Sequence, residues 1–122
     1  MEIVLDTNIL IEILKNNKNT IQEVEQYNIH HISIISAMEL FYGAFNKAEL
    51  QKLKKFIELF NVIPLDEKTS NIAVNLVYEY AKSHSLDIPD SLIAATAINA
   101  KLPLLSYNKK DFRFIEDLNL TK

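Results

Sequence analysis

Short runs of consecutive apolar residues alternate along this chain with stretches in which apolar residues recur every three or four positions. The two patterns predict buried strands and amphipathic helices in turn. Ile3-Val4-Leu5 reads as a first strand, and Asn8 to Lys15 carries Ile9, Leu10, Ile13 and Leu14 at helical spacing. A second helix is expected over Thr20 to Gln26, then a strand over His31 to Ile35, with Ser36 opening a helix that runs from Ala37 to Phe45. Between Lys47 and Phe60, Leu50, Leu53, Phe56, Ile57 and Phe60 form one apolar face opposite lysines. Val62 to Leu65 is a third strand, which Pro64 assigns to a sheet edge or cuts short. A long helix from Glu67 to Ser83 follows, with Ile72, Leu76, Val77 and Tyr80 on one side. The turn Asp87 to Asp90 leads into a helix of small residues, Ser91 to Ala100, suited to tight packing on a sheet; Pro89 is tolerated in its first turn, where a missing N–H leaves nothing unpaired. Pro103 to Ser106 is a fourth strand, Tyr107 to Asp111 a polar turn, and Phe114-Ile115 or Leu118-Asn119-Leu120 supplies a fifth strand. Strands alternating with helices over residues 1–122 indicate one three-layer α/β domain with a mainly parallel sheet of four to five strands. The only glycine, Gly43, falls inside a helical pattern and is expected to allow another element to come close.

Composition narrows the function classes. With 48% hydrophobic and 24% charged residues over 122 positions, the chain is long enough to bury a core and is not of a disordered type. The absence of cysteine removes disulfides and thiolate chemistry. The first residues lack a basic n-region, and no apolar run approaches the ~20 residues of a membrane helix, so a soluble cytoplasmic protein with no membrane association is expected. A net charge of -3 runs against nucleic-acid binding unless cations neutralise some of the acids. Local lysines, among them Lys52, Lys54, Lys55, Lys109 and Lys110, remain available to guide a phosphate backbone.

Four acids, Asp6, Glu39, Asp90 and Asp111, each stand where an apolar run passes into a helical pattern. In an open α/β sheet the carboxyl ends of the strands share one edge, so such acids converge in the crevice where these folds bind ligands. Each has a purely structural explanation. Asp6 can cap the following helix, Ser36-Ala37-Met38-Glu39 matches a capping box, Asp90 suits the positive end of a helix, and Asp111 with Asn108 can order a turn. Together they are harder to explain that way, because gathered carboxylates repel one another unless a proton or cation intervenes. Hard oxygen donors suit Mg²⁺ or Mn²⁺, whereas the lack of cysteine and the scattered histidines disfavour zinc. His30, His31 and His84 read as solvated or turn residues, Glu12 as part of a solvated face, and Asp66, Asp87 and Asp117 as turn or cap residues.

The segments Val4-Leu5-Asp6-Thr7-Asn8, Ser36-Ala37-Met38-Glu39-Leu40 with Tyr42-Gly43, Ile88-Pro89-Asp90-Ser91-Leu92-Ile93-Ala94-Ala95-Thr96-Ala97, and Leu104-Leu105-Ser106-Tyr107-Asn108-Lys109-Lys110-Asp111-Phe112 resemble, in order and spacing, the motifs of PIN-domain ribonucleases. The nearest subgroup is the VapC-type toxins of prokaryotic type II toxin–antitoxin pairs. The resemblance spans nearly the whole chain. It implies a metal-dependent endoribonuclease in which Asp6, Glu39 and Asp90 are the core ligands of Mg²⁺ (or Mn²⁺), Asn108 and Asp111 share a fourth position, and Thr7, Asn8 and Ser106 order the site. Many relatives carry Thr-x-Asp or Thr-x-Asn after the fourth strand; Ser106 and the neutral Asn108 depart from the acidic form of that pattern. Asp111 or Asp90 is then the acceptor of the attacking water's proton, and the products are a 5′-phosphate and a 3′-hydroxyl. The resemblance further implies an RNA substrate, a cognate antitoxin and a homodimer, with Phe41, Leu50, Leu53, Phe56 and Phe60 divided between core and interface.

Rival readings make distinct demands. A housekeeping PIN ribonuclease of RNA processing would share the site, and a PIN-fold interaction module that lost catalysis would draw support from Asn108. A haloacid-dehalogenase-type phosphatase would want an aspartate two residues after Asp6, where this chain has Asn8.

Overall fold

The computed structural model describes residues 1–121 and contains a four-stranded parallel sheet. Along the chain run β1 (Glu2–Leu5), α1 (Thr7–Leu14), α2 (Lys18–Glu25), β2 (Ile29–Ser33), α3 (Ile34–Tyr42), α4 (Lys47–Ile57), β3 (Asn61–Ile63), α5 (Glu67–His84), α6 (Ile88–Ala100) and β4 (Leu104–Leu105), then a single 3-10 turn, Lys109–Asp111. The strand order is β3-β2-β1-β4, which puts β3 at an edge and ends it just before Pro64, in line with the sequence pattern. A fifth strand survives only as one parallel bridge, Leu104 to Leu120, held by Leu104 N–H to Asn119 O at 2.9 Å and Thr121 N–H to Leu104 O at 3.0 Å. Phe114 and Ile115 lie outside the sheet.

The two-residue period of β1 divides its side chains between two cores. Val4 faces α5 and α6 together with Leu76, Ile93, Ala94, Leu104 and Phe112. Ile3 and Leu5 face α1 to α4 together with Ile9, Leu10, Ile32, Leu40 and Leu53. The result is the three-layer architecture expected. α6 is buried along Ser91 to Ala97 apart from Leu92, and its alanines let it lie close against α5 and the sheet. Leu53 is in the core, and Phe41, Phe56 and Phe60 pack on it, with Phe56 and Phe60 edge to face at 5.1 Å; Leu50 stays partly open to solvent.

Three local expectations are corrected. β2 stops at Ser33, not Ile35, because the Ser33 Oγ accepts the Ile35 N–H at 3.1 Å and starts α3 three residues before Ser36. Gly43 is the exposed C-cap of α3 at φ -82, ψ -1, and a Cβ there would meet only Glu39 O at 3.5 Å and Leu40 O at 3.8 Å, so neither a close neighbour nor the backbone requires glycine. His31 is buried rather than solvated: its Nε2 bonds Glu2 Oε1 at 2.6 Å and its Nδ1 meets the Asn61 amide at 2.6 Å, which ties β1, β2 and β3 together. Asp66 and Asp87 cap α5 and α6 as expected.

Candidate active site

The chain passes from β1 outward to β2 and β3, then returns to the opposite side of β1 to form β4. The direction of winding therefore reverses at β1, and the carboxyl ends of β1 and β4 bound the crevice where doubly wound sheets take ligands. Asp6 ends β1 and Ser106 ends β4.

Asp6 is 4% exposed, and each of its oxygens accepts one hydrogen bond. Oδ1 accepts the Thr7 N–H at 2.8 Å, and Oδ2 accepts the Ser106 hydroxyl at 2.7 Å. Ser106, fully buried, accepts in turn from the Asn108 N–H at 3.0 Å and the Asn8 amide at 3.3 Å. With one proton given and two lone pairs filled, this hydroxyl has no capacity left. Asn8 Oδ1 also accepts the Tyr107 N–H at 3.2 Å, so its side chain staples the start of α1 to the loop after β4.

Glu39 sits mid-way along α3, because that helix begins at Ile34. The capping-box explanation for Glu39 therefore fails. Its carboxylate accepts the Thr7 hydroxyl at 2.7 Å, and Thr7 Oγ1 also lies 2.8 Å from Ser36 Oγ. A carboxylate can only accept, so Thr7's one proton serves Glu39 and Ser36's proton completes the second contact. Asp90 falls in the first turn of α6, its N–H donated to the capping Asp87 at 2.8 Å. Asp111 closes the 3-10 turn, its N–H bonded to Asn108 O at 3.0 Å.

The electrostatics show which acids share a neighbourhood. Burial pushes the Asp6 carboxyl above its usual range, the bonds from Ser106 and Thr7 pull it back, and the charges of Glu39 and Asp111 raise it again. Asp90 is pushed up to about 7, first by burial, then by Asp87, and then by Asp6, Asp111 and Glu39. The helix N-terminus should favour the Asp90 anion; burial and like charges outweigh it here. Glu39 and Asp111 thus act on both Asp6 and Asp90, and Asp6 acts on Asp90. Asn108 meets this group through its backbone, with its side chain on the exposed surface.

The donor set suits a hard divalent cation: carboxylate oxygens only, on buried Asp6, half-buried Asp90 and Asp111 and exposed Glu39. The ion pairs Lys15–Glu12 and His31–Glu2 involve none of these acids. Among the described residues no three acids or histidines already stand at the spacing of a closed ligand set. Asp6 accepts one hydrogen bond on each oxygen and so keeps acceptor capacity, while Glu39 is turned onto Thr7.

A model of the PIN domain matches residues 3–117. The chain belongs to the PIN-domain family. Ribonuclease VapC1 of Methanocaldococcus jannaschii is 32% identical to this PIN domain over 98% of the chain and 85% of its own length. Among solved structures, a toxin–antitoxin complex from Klebsiella pneumoniae superposes with a TM-score of 0.82 at 30% identity, covering 98% of this chain and 95% of its own. VapBC2 of Rickettsia felis, bound to a DNA fragment from its promoter, does so at 0.83 and 29%, over 99% and 98%.

Sequence reasoning gave Tyr107 no role. Its hydroxyl lies 2.6 Å from the buried Thr20 Oγ1 and 3.1 Å from Glu23 Oε1, binding α2 to the loop that carries Ser106 and Asn108. Nothing in the local sequence links residues so far apart. Ser36 was read as a cap and instead supports Thr7.

Proposed function

We propose that this PIN domain is a metal-dependent endoribonuclease, the toxin of a type II toxin–antitoxin pair. The observation that carries the reading is a buried carboxylate, Asp6, at the switch point of the sheet, sharing its neighbourhood with Glu39, Asp90 and Asp111. Asp6, Glu39 and Asp90 hold the ion, with Mg²⁺ the expected occupant and Mn²⁺ able to replace it. Asp111 takes the fourth position in preference to Asn108, because its charge is felt by both Asp6 and Asp90. When bound, the ion supplies Lewis acidity toward the scissile phosphate and lowers the pKa of a water. Ser106 and Thr7 fix the Asp6 oxygens, Thr7 fixes Glu39, and Asn8 holds the β4 loop against α1. Asp90 or Asp111 accepts the proton of the attacking water, whose oxygen joins phosphorus as the ribose 3′ oxygen departs and takes up a proton from solvent. The products are a 5′-phosphate and a 3′-hydroxyl.

An antitoxin partner is supported by the structural neighbour from Klebsiella pneumoniae, which was solved as a toxin–antitoxin complex. No helix among the described residues is long and apolar enough to cross a membrane, and we place the protein in the cytoplasm, where its RNA is found. Homodimerisation is part of the proposal. Exposed Val74 and Ile88 flank a groove between α5 and α6 that is also lined by Ala73, Val77 and Leu92, an apolar strip of the kind a second copy covers.

The test is cleavage of total cellular RNA by antitoxin-free protein in Mg²⁺, Mn²⁺ or EDTA, beside Asp6→Ala. Discrete metal-dependent fragments made by the unmodified protein and lost in the variant are expected. Equal cleavage by both proteins, or none by a folded sample with either metal, refutes the reading.

A further inference from the structure

The segment between β4 and the 3-10 turn carries part of the candidate site without being packed into the core. Ser106 is fully buried and Phe112 is 1% exposed, but none of the side chains from Tyr107 to Asp111 is buried. Asp111 acts on both Asp6 and Asp90 from this segment, so its place matters to the site. Hydrogen bonds set that place. The Tyr107 N–H reaches Asn8 Oδ1 at 3.2 Å, the Asn108 N–H reaches Ser106 Oγ at 3.0 Å, and the Asp111 N–H closes on Asn108 O at 3.0 Å. Through its side chain Tyr107 adds a link to another layer of the fold: its phenol oxygen lies 2.6 Å from Thr20 Oγ1 and 3.1 Å from Glu23 Oε1, both on α2. A carboxylate only accepts, so the phenol proton goes to Glu23 and Thr20 donates to the phenol oxygen. The far end of this link is fixed. Thr20 and Val24 are buried, and Asn17 caps α2 through its Oδ1 while its amide bonds Glu12 of α1 at 3.0 Å.

We propose that Tyr107 is a positioning residue of the metal site: its hydroxyl, tied to Thr20 and Glu23, holds the loop from Tyr107 to Asp111 in the arrangement that keeps Asp111 beside Asp6 and Asp90. This rests on the nuclease reading above and adds to it a residue that touches neither ion nor substrate and acts through Asp111. The physical basis is preorganisation. A loop that is already ordered loses less conformational freedom when a cation engages its acid, and the saving is expressed as affinity. The ring is 43% exposed, so packing encloses it only in part and the hydroxyl contacts decide where the loop sits. Phenylalanine keeps the ring and its packing and deletes only those contacts. Losing them should weaken the hold on a cation roughly threefold to tenfold, the effect of one to two ordinary hydrogen bonds.

Antitoxin-free protein and Tyr107→Phe are titrated with Mn²⁺, and the free ion is followed by its electron paramagnetic resonance signal, a readout that needs no turnover. The variant should bind Mn²⁺ roughly threefold to tenfold more weakly. Cleavage of an oligoribonucleotide should need correspondingly more Mn²⁺, with kcat at saturating metal changed by less than about twofold. Without metal, amide exchange in the variant should quicken at Asn108 and Asp111 and stay unchanged in β1. Thr20→Val cuts the other end of the link, so adding it to Tyr107→Phe should weaken Mn²⁺ binding no further. The double variant leaves no buried hydroxyl unpaired at this point and should recover stability lost in Tyr107→Phe, yet it should still bind Mn²⁺ weakly. Unchanged Mn²⁺ binding or unchanged exchange at Asn108 and Asp111 in Tyr107→Phe overturns the positioning role, while metal-dependent cleavage by the unmodified protein leaves the nuclease reading standing. Mn²⁺ binding that returns together with stability in the double variant also overturns it and assigns Tyr107 to the fold alone. Neither Mn²⁺ binding nor cleavage by the folded, unmodified protein strikes the nuclease reading itself, and the positioning role falls with it.

Discussion

Replacing Asp90 by asparagine should stabilise the metal-free protein while removing its response to metal. Asp90 titrates at about 7 in the fold against 3.8 unperturbed. A shift of that size corresponds to at most ~4 kcal/mol of penalty on the anion. Because Asp90 is only partly buried, solvent screening reduces this to ~2 kcal/mol. Asparagine also gives up the anion's interaction with the α6 N-terminus, ~0.3–1 kcal/mol, so a net gain of about 1–2 kcal/mol remains. The sign follows from linkage. A carboxyl whose folded pKa is raised carries no penalty below about pH 3.8, accumulates it between there and pH 7, and bears all of it above. For 122 residues the unfolding entropy is ~0.26 kcal/mol/K, so Tm should rise by about 4–8 °C at pH 8 in EDTA. At pH 5 the gain should shrink to roughly 40% of that value. Excess Mg²⁺ should raise Tm of the unmodified protein at pH 8 and do little for the variant, closing or reversing the gap. Thermal unfolding followed by circular dichroism reads each quantity. A variant no more stable than the parent at pH 8 in EDTA, or a gain equal at both pH values, would refute the crowded-acid argument.

Two further substitutions probe the supports of the site. Ser106→Ala removes the donor to buried Asp6 and the acceptor for the Asn108 N–H and Asn8 amide; a loss of about 2–4 kcal/mol in urea unfolding is expected, and a change under ~0.5 kcal/mol would contradict the hub role. Gly43→Ala places its Cβ in open contact at a φ that alanine adopts freely, so urea unfolding should show a gain of ~0.4–1 kcal/mol; destabilisation would mean that the α3 terminus needs glycine after all.

Much of the candidate site was legible because Asp6 and Asp90 stand at the ends of elements whose type the local pattern indicates. Ile3-Val4-Leu5 is a short apolar run ahead of a helical pattern and so reads as a buried strand with Asp6 at its end, and the small-residue run after Asp90 marks a helix lying on the sheet. Boundaries were less secure. Ile34 and Ile35 extend an apolar run that reads as strand, yet Ser33 accepts the Ile35 N–H and turns them into the first residues of α3. That three-residue difference changes the meaning of Glu39, which passes from a helix cap to an acid aimed at Thr7.

The sequence by itself determined the alternation of strands and helices, the parallel three-layer class, and the four acids with their family, because these depend on periodicity and on the order of motifs along the chain. Tertiary structure alone decided what those residues do to one another. Strand order makes β1 and β4 neighbours, which brings Ser106 onto Asp6 across 100 positions of chain. It places His31 in a buried clasp of three strands and joins Tyr107 to α2. Burial and the charge of distant neighbours likewise set the Asp90 pKa. Distances between residues remote in sequence follow from how the layers pack, and local propensity holds no information about them.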